Sequence, residues 1–204
     1  MQQEERSERS RTALLEAALA LFSHQGYRGT SVRDIAERAG TSTGSVYHHF
    51  RDKEAIFQTL LDQFWTAASR PDFPLVKVFE DGAFPDNLPA IGQAARETIA
   101  QWRPYIALIY VDVVEFEGRH IHRFYGDMAT RYQEFLRRRP DLDIPDRLRE
   151  GIPPEVGMIL TTRIFIYYFV VELLFGVPNH YGLSSDEATR VISDILTNGL
   201  VRRA

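Results

Sequence analysis

The segment TSTGSVYHHFRDKEAI, Thr41 to Ile56, decides how this chain is read. Its first half has room for about two turns of helix, yet it holds few large apolar residues. It offers small hydroxyls, a glycine, a tyrosine and two histidines, with a lysine just past a second helix start. Ser42 or Thr43 can cap a helix that runs to about His49. With Val46 taken as the inward direction, Phe50 falls on the same side at about 100° per residue. Gly44, Ser45, Tyr47 and His48 then lie on the outer half, and His49 lies at the margin. A helix that contributes so little to a core has an outward use for its polar face.

Upstream, Ser7 to Tyr27 repeats Leu14, Ala18, Leu21 and Phe22 at helical spacing, and Gly26 follows as a C-terminal glycine. In TSVRDIAERAG, Thr30 or Ser31 can cap a short helix that Gly40 closes. Its inner stripe is Ile35, Ala36 and Ala39, and the small Ala36 admits a close neighbour. Downstream, Asp52 caps a fourth helix with Glu54 in its first turn. Ile56, Phe57, Leu60, Leu61 and Phe64 form its apolar stripe.

Two short helices joined at Ala39-Gly40-Thr41-Ser42 have the proportions of a helix-turn-helix. In that motif the second helix enters the major groove by its N-terminal part, and the first crosses the backbone. Thr43, Gly44 and Ser45 are small enough for the helix backbone to approach DNA closely. Ser45 can donate to a phosphate or a base. Tyr47 can reach a phosphate oxygen or a thymine methyl, and Lys53 can neutralise a phosphate. The alternative is plain packing, but the exposed face has no packing use.

Thr30-Ser31-Val32, Asp34-Ile35-Ala36, Ala39-Gly40 and STGSVYHHFRDKEAI together resemble the N-terminal domain of TetR-type transcriptional repressors over about residues 10–60. Beyond that stretch only the length and the order of helices agree. The resemblance implies phosphate contacts from Thr30 and Ser31, and a base or phosphate contact from Arg33. It implies that Ser45 and Tyr47 sit on the DNA, that His48 contacts a base and His49 a phosphate, and that Lys53 clamps a phosphate. It also implies a homodimer.

Charge tempers the electrostatic part of this reading. The whole chain carries −4, whereas residues 1–53 hold eight basic and seven acidic side chains, a net +1. Base and hydroxyl contacts therefore matter comparatively more than bulk attraction. With 204 residues, 44% of them apolar, the chain can build a substantial core without staples. It has no cysteine, which excludes disulfides and thiolate metal sites and is compatible with a cytoplasmic setting. MQQEERSERSR lacks the apolar run of a signal peptide.

Pro71, Pro74, Pro85 and Pro89, with Asp81-Gly82, mark a connecting region. Helices are expected near 88–102, 105–117, 119–139, 154–176 and 185–202, broken at Pro104, Gly118, Pro140 with Pro145, and Pro178 with Gly182. The expected class is all-α. A helix-turn-helix domain over 1–53 is linked by a helix over 52–70 to a dimerisation and ligand-binding domain over 54–204. The last helix opens on a capping box at Ser184-Ser185-Asp186-Glu187. Ala188, Val191, Ile192, Ile195, Leu196 and Leu200 run along it, and Gly199 permits close helix contact. The helix before it, VGMILTTRIFIYYFVVELLF, is apolar nearly all round. Arg163 and Glu172 argue against a membrane span, so the expectation is no membrane partner and a helix buried in protein. The buried surface is either an internal core or a four-helix seam between two copies across 154–202.

Fourteen of the 24 aromatics fall between residues 102 and 181, which makes this stretch either core or the wall of an apolar pocket for a small-molecule effector. The candidate set is Trp102, Tyr105, Tyr110, Glu115, Phe116, His120, Phe165, Tyr168 and Phe169. Asp112, Glu117, Arg103 and His122 are further polar groups nearby, and Glu115 can instead pair with Arg119 at four-residue spacing. An enzyme is not expected. His120 and His122 diverge by about 200° on a helix and cannot chelate one ion together. No nucleophile elbow, phosphate loop or HExxH is present, and no cofactor is expected. The reading is a homodimeric DNA-binding regulator that a ligand releases from a double-stranded operator. The alternative is a constitutive or architectural DNA binder without a ligand.

Overall fold

A computed structural model describes residues 2–82 and 84–200, the side chains of Gln2 and Leu200 excepted. In chain order the helices are α1 (Gln2–Gln25), α2 (Val32–Arg38), α3 (Thr43–His49), α4 (Lys53–Ala67), α5 (Pro74–Glu80), α6 (Leu88–Phe116), α7 (His122–Gly126), α8 (Met128–Arg138), α9 (Ile144–Arg147), α10 (Pro154–Phe169) and α11 (Ser185–Leu200). A π-helical stretch, Val170–Leu174, extends α10. No β-strand occurs among the described residues, so the all-α expectation holds.

The chain divides into two compact units. One comprises Met1–Ala67 with Pro104–His122, the other Ala68–Arg103 with Arg123–Ala204. This division differs from the boundary expected at residue 53. The stripe of α4 is the reason for the first extension: Ile56, Phe57, Leu60, Leu61 and Phe64 are all buried, at 0–5% exposure. Ile56, Phe57, Leu60 and Leu61 share one core with Leu14, Ala18 and Phe22 of α1, Ile35 and Ala36 of α2, Val46 of α3 and Phe50 just after it, and Leu108 and Ile121 from the later segment. Each fully buried aliphatic or phenyl side chain contributes about 1.5–3 kcal/mol, so α4 is tied to this unit from its first turn.

The expected break at Pro104 is local. α6 runs through it, with non-helical angles at Trp102 (φ −107°, ψ 16°). Proline lacks an N–H for the preceding turn and crowds the carbonyl four residues back, and the helix opens there without ending. It stops instead at Glu117 and Gly118, both at positive φ (57° and 75°). The helix expected from 119 starts only at His122; before it the Ile121 N–H closes a turn on Gly118 O at 3.1 Å and faces the Asp112 carboxylate at 3.3 Å. A seven-residue helix, α5, occupies part of the proline-rich connection. Pro74 sits at its first turn, where a missing N–H costs nothing, and Val78 and Phe79 are buried.

In the second unit the helix expected over 154–176 changes to π geometry at Val170. There Glu172, 6% exposed, accepts from Tyr168 Oη (3.3 Å), Asn179 N (3.3 Å) and Ser185 Oγ (2.7 Å). Burial, and then the Glu172 carboxylate, push the Tyr168 phenol up to about 12. The capping box at the start of α11 is present, with Ser184 N–H donating to Glu187 Oε2 and Glu187 N–H to Ser184 Oγ. The α11 stripe splits into two faces. Ala188, Ile192 and Leu196 are buried, whereas Val191 and Ile195 stand 47% and 64% exposed. An added Cβ at Gly199 would meet open space within the chain. The Leu200 side chain and residues 201–202, included in the expected helix, lie outside the described residues.

α10 with its π extension is the one span among the described residues long and apolar enough to cross a membrane. Its inner face, Gly157, Met158, Thr161, Phe165, Tyr168 and Phe169, is buried in the second unit. Val156, Leu160 and Tyr167 face outward.

Candidate nucleic-acid interface and effector region

The outward face of α3 is built by its ends. Ser42 is the N-cap and its Oγ accepts Ser45 N–H at 3.2 Å. The backbone stops at Phe50, which turns extended (φ −136°, ψ 135°) and buries its ring. Within α3 the buried residue is Val46. Thr43, Gly44, Tyr47 and His48 are exposed, Tyr47 at 59%. Ser45 and His49 are half-buried. Ser45 Oγ lies 3.3 Å from Ser10 Oγ of α1, which steadies its hydroxyl at the edge of the face. Burial, followed by the neighbouring His48 and Arg11, lowers the His49 pKa.

α2 presents Ser31 and Arg33, both exposed. Ser31 closes a full capping box: its Oγ accepts Asp34 N–H (3.1 Å) while Asp34 Oδ2 accepts Ser31 N–H (2.8 Å). These bonds hold the Asp34 carboxyl below its ordinary range. Thr30, expected from the resemblance to contact phosphate, faces inward. It is 1% exposed, and its hydroxyl donates to Gly26 O at 2.8 Å. Its hydroxyl is thus committed inward, to the loop that precedes α2.

Lys53 departs from expectation in a different way. Its ammonium donates to Tyr27 O (2.7 Å) and Thr30 O (2.6 Å) and lies 4.0 Å from the centre of the Tyr27 ring. An ammonium has three donors, so one is left for a phosphate. Partial burial lowers its pKa. Lys53 thus ties the loop before α2 to the start of α4, a role whose acceptors lie 26 and 23 residues upstream and leave no local pattern in the sequence.

The nine effector candidates are divided between the two units. Tyr105, Tyr110, Glu115, Phe116 and His120 belong to the first; Trp102, Phe165, Tyr168 and Phe169 belong to the second. In the first unit four of them make packing or hydrogen-bond contacts within the unit. Tyr105 stacks on Phe64 (6.0 Å, 16°), and Phe116 sits between Tyr27 (4.6 Å) and Phe57 (5.1 Å). Tyr110 is 37% exposed. Glu115 does not pair with Arg119. Its two oxygens accept the N–H groups of Tyr27 (3.0 Å) and Arg28 (2.7 Å), and Arg119 turns to Glu54 at 2.9 Å. His120 is held between Asp112 (Nδ1, 2.5 Å) and Glu54 (Nε2, 3.3 Å). Glu115 and His120 are therefore both engaged by groups of the first unit.

In the second unit Phe165, Tyr168 and Phe169 are 0–1% exposed, and Trp102 packs on Phe73 at 5.9 Å. Thr161, fully buried on the same helix face, has a hydroxyl without a hydrogen-bond partner. A shallow groove of about 220 Å³ is bounded by Gln93, Arg96, Phe169, Asp186, Thr189 and Arg190. Of the nine candidates it includes Phe169. No group of three or more metal-ligating side chains occurs among the described residues.

Residues 14–60 match the family described as bacterial regulatory proteins, tetR family. Over 149 residues the chain is 32% identical to the HTH-type transcriptional repressor KstR2 of Mycobacterium tuberculosis, covering 66% of this chain and 72% of that protein. Among solved structures, the ketosteroid transcriptional regulator KstR2 of M. tuberculosis superposes with a TM-score of 0.59 at 22% identity, covering 95% of each chain. NalD, the secondary repressor of the MexAB-OprM multidrug efflux pump in Pseudomonas aeruginosa, gives 0.62 at 22% identity, covering 97% of this chain and all of that one. A complex of SmeT with triclosan gives 0.62 at 16% identity, covering 96% and 93%. At these identities the structures establish the fold alone.

Proposed function

Because the chain belongs to the tetR family of bacterial regulatory proteins, and so is a DNA-binding transcriptional regulator and not an enzyme, we propose that it acts as a cytoplasmic homodimeric repressor released from a near-palindromic operator by a small apolar or aromatic molecule. The observation that carries the DNA part is the α3 face: capped, burying Val46 alone, and presenting Tyr47 with small polar neighbours. In this reading Thr43, Gly44, Ser45, Tyr47 and His48 meet the major groove, with His49 and Arg33 at its edge. Ser31 and the remaining Lys53 donor take phosphates. Val156, Leu160 and Tyr167 of α10 and Val191 and Ile195 of α11 supply a seam between two copies across 154–202. Two recognition helices then require half-sites about one helical turn apart, or a multiple of it.

The effector belongs with the apolar second unit, where Trp102, Phe165, Tyr168 and Phe169 offer walls and Thr161 a spare hydroxyl. The SmeT–triclosan complex supports an aromatic ligand for a protein of this fold. Release requires the ligand to favour the DNA-incompetent state, through a shift of α4. A tenfold loss of operator affinity needs about 1.4 kcal/mol of such coupling, and operator must weaken ligand binding by the same factor. One observation favours the constitutive reading instead: Phe165, Tyr168 and Phe169 are packed as a filled core. Selection of bound sequences from random duplex DNA, with and without cell extract, separates the cases. A palindromic consensus lost in extract supports a ligand-released repressor. The same consensus under both conditions supports a constitutive binder, and no enriched sequence overturns the operator assignment.

A further inference from the structure

The loop between α1 and α2 is gripped on both of its hydrogen-bonding sides. Its amides at Tyr27 and Arg28 point into the Glu115 carboxylate (3.0 and 2.7 Å), and its carbonyls at Tyr27 and Thr30 take the Lys53 ammonium (2.7 and 2.6 Å). Glu115 reaches the loop from 88 and 87 residues downstream, on the last turn of α6. The approach depends on Gly26. At φ +79°, a Cβ there would stand 2.6 Å from Glu115 Oε1. Two N–H groups bonding one ionised carboxylate are charge-assisted and stronger than neutral bonds. The loop ends at Ser31, the cap of α2, and its Lys53 anchor opens α4 directly after α3. Whatever fixes this loop fixes how the α2 cap and Lys53 stand relative to the recognition helix.

We propose that Glu115 is a positioning residue for DNA binding, holding the Gly26–Thr30 loop so that Ser31 and Lys53 meet the backbone in register with α3. This rests on the DNA-binding reading of α3 given above. The proposal has an unusual sign. Removing an acidic side chain from a DNA-binding unit strengthens binding when charge alone acts, whereas losing this hold weakens it.

The test uses the full chain and the duplex selected by the wild type. Glu115→Gln keeps the shape but turns one oxygen into a donor facing a donor. Glu115→Asp keeps the charge and draws it back by one methylene, which covers the case in which the amide variant does not fold. Both are expected to bind the operator about tenfold more weakly (about 1.4 kcal/mol), with the slope of log K against log salt reduced by no more than the roughly one unit that the Lys53 contact contributes. Amide exchange at Tyr27 and Arg28 should quicken in both. Operator affinity equal to or tighter than wild type, with those amides released, overturns the inference and leaves the DNA reading standing. Amides that stay protected in a folded variant overturn it as well. A wild type that retains no duplex overturns both together.

Discussion

Helices α3 and α11 each turn a face to solvent, and the two faces differ in kind. On α3 the outward residues are Thr43, Gly44, Tyr47 and His48, around a single inward Val46. On α11 they include Val191 and Ile195, beside a buried row of Ala188, Ile192 and Leu196. The first face can hydrogen-bond and approach closely; the second can only gain by leaving water. An exposed face therefore specifies the chemistry of its partner. A polar one with small residues fits a phosphate-lined groove, and an apolar one adjoining a core fits an apolar partner, in the proposed reading a second copy of the chain.

The comparison breaks most visibly at Ile195. Ile195→Asp places a charge in each half of the seam, and an unpaired buried charge costs about 3–5 kcal/mol. Dimer affinity should fall more than 100-fold, read by sedimentation, while α-helical circular dichroism is retained. A wild type that sediments as a stable monomer at micromolar concentration would remove the seam altogether. Tyr47→Ala acts on the other face and is expected to leave the dimer intact. It should weaken operator binding by about 10- to 100-fold, since hydrogen bonds to charged groups contribute about 1.5–3 kcal/mol; unchanged affinity by fluorescence anisotropy would take Tyr47 off the DNA. Lys53→Ala should have the smallest effect on affinity, about tenfold, but a distinct signature. The salt slope should drop by about one unit for the lost phosphate. A slope equal to wild type would confine Lys53 to the loop.

Features set by residues within a turn or two of each other are legible in the amino-acid sequence. Ser42 caps α3, Val46 and Phe50 turn inward together, Asp52 Oδ1 accepts Ala55 N–H at the start of α4, and the α4 stripe is buried throughout. Features set by distant partners are not. Nothing near Thr30 announces that its hydroxyl is used on Gly26, and nothing near Glu115 or Lys53 announces the loop they share. The four-residue spacing of Glu115 and Arg119 points to a pair that the end of α6 at Glu117 and Gly118 does not form. The proline-rich connection reads as loop because its punctuation is dense, yet Pro74 at a first turn starts α5. The α11 stripe is visibly apolar in the sequence; which half lies inside depends on where α10 packs.

The first unit is not continuous along the chain. Its core takes Leu108 and Ile121 from a segment that follows Ala67 by dozens of residues. On a ribosome the N-terminal bundle cannot be completed when its own helices have emerged. It waits for the 55 residues from 68 to 122, about 3–11 s at common elongation rates of roughly 5–20 residues per second. Until then the nascent bundle exposes the core surface that Leu108 and Ile121 will cover, and the Tyr27 and Arg28 amides have no carboxylate. The ability to read DNA is thus acquired partway through synthesis, and a fragment cut after α4 would stay in that unfinished state.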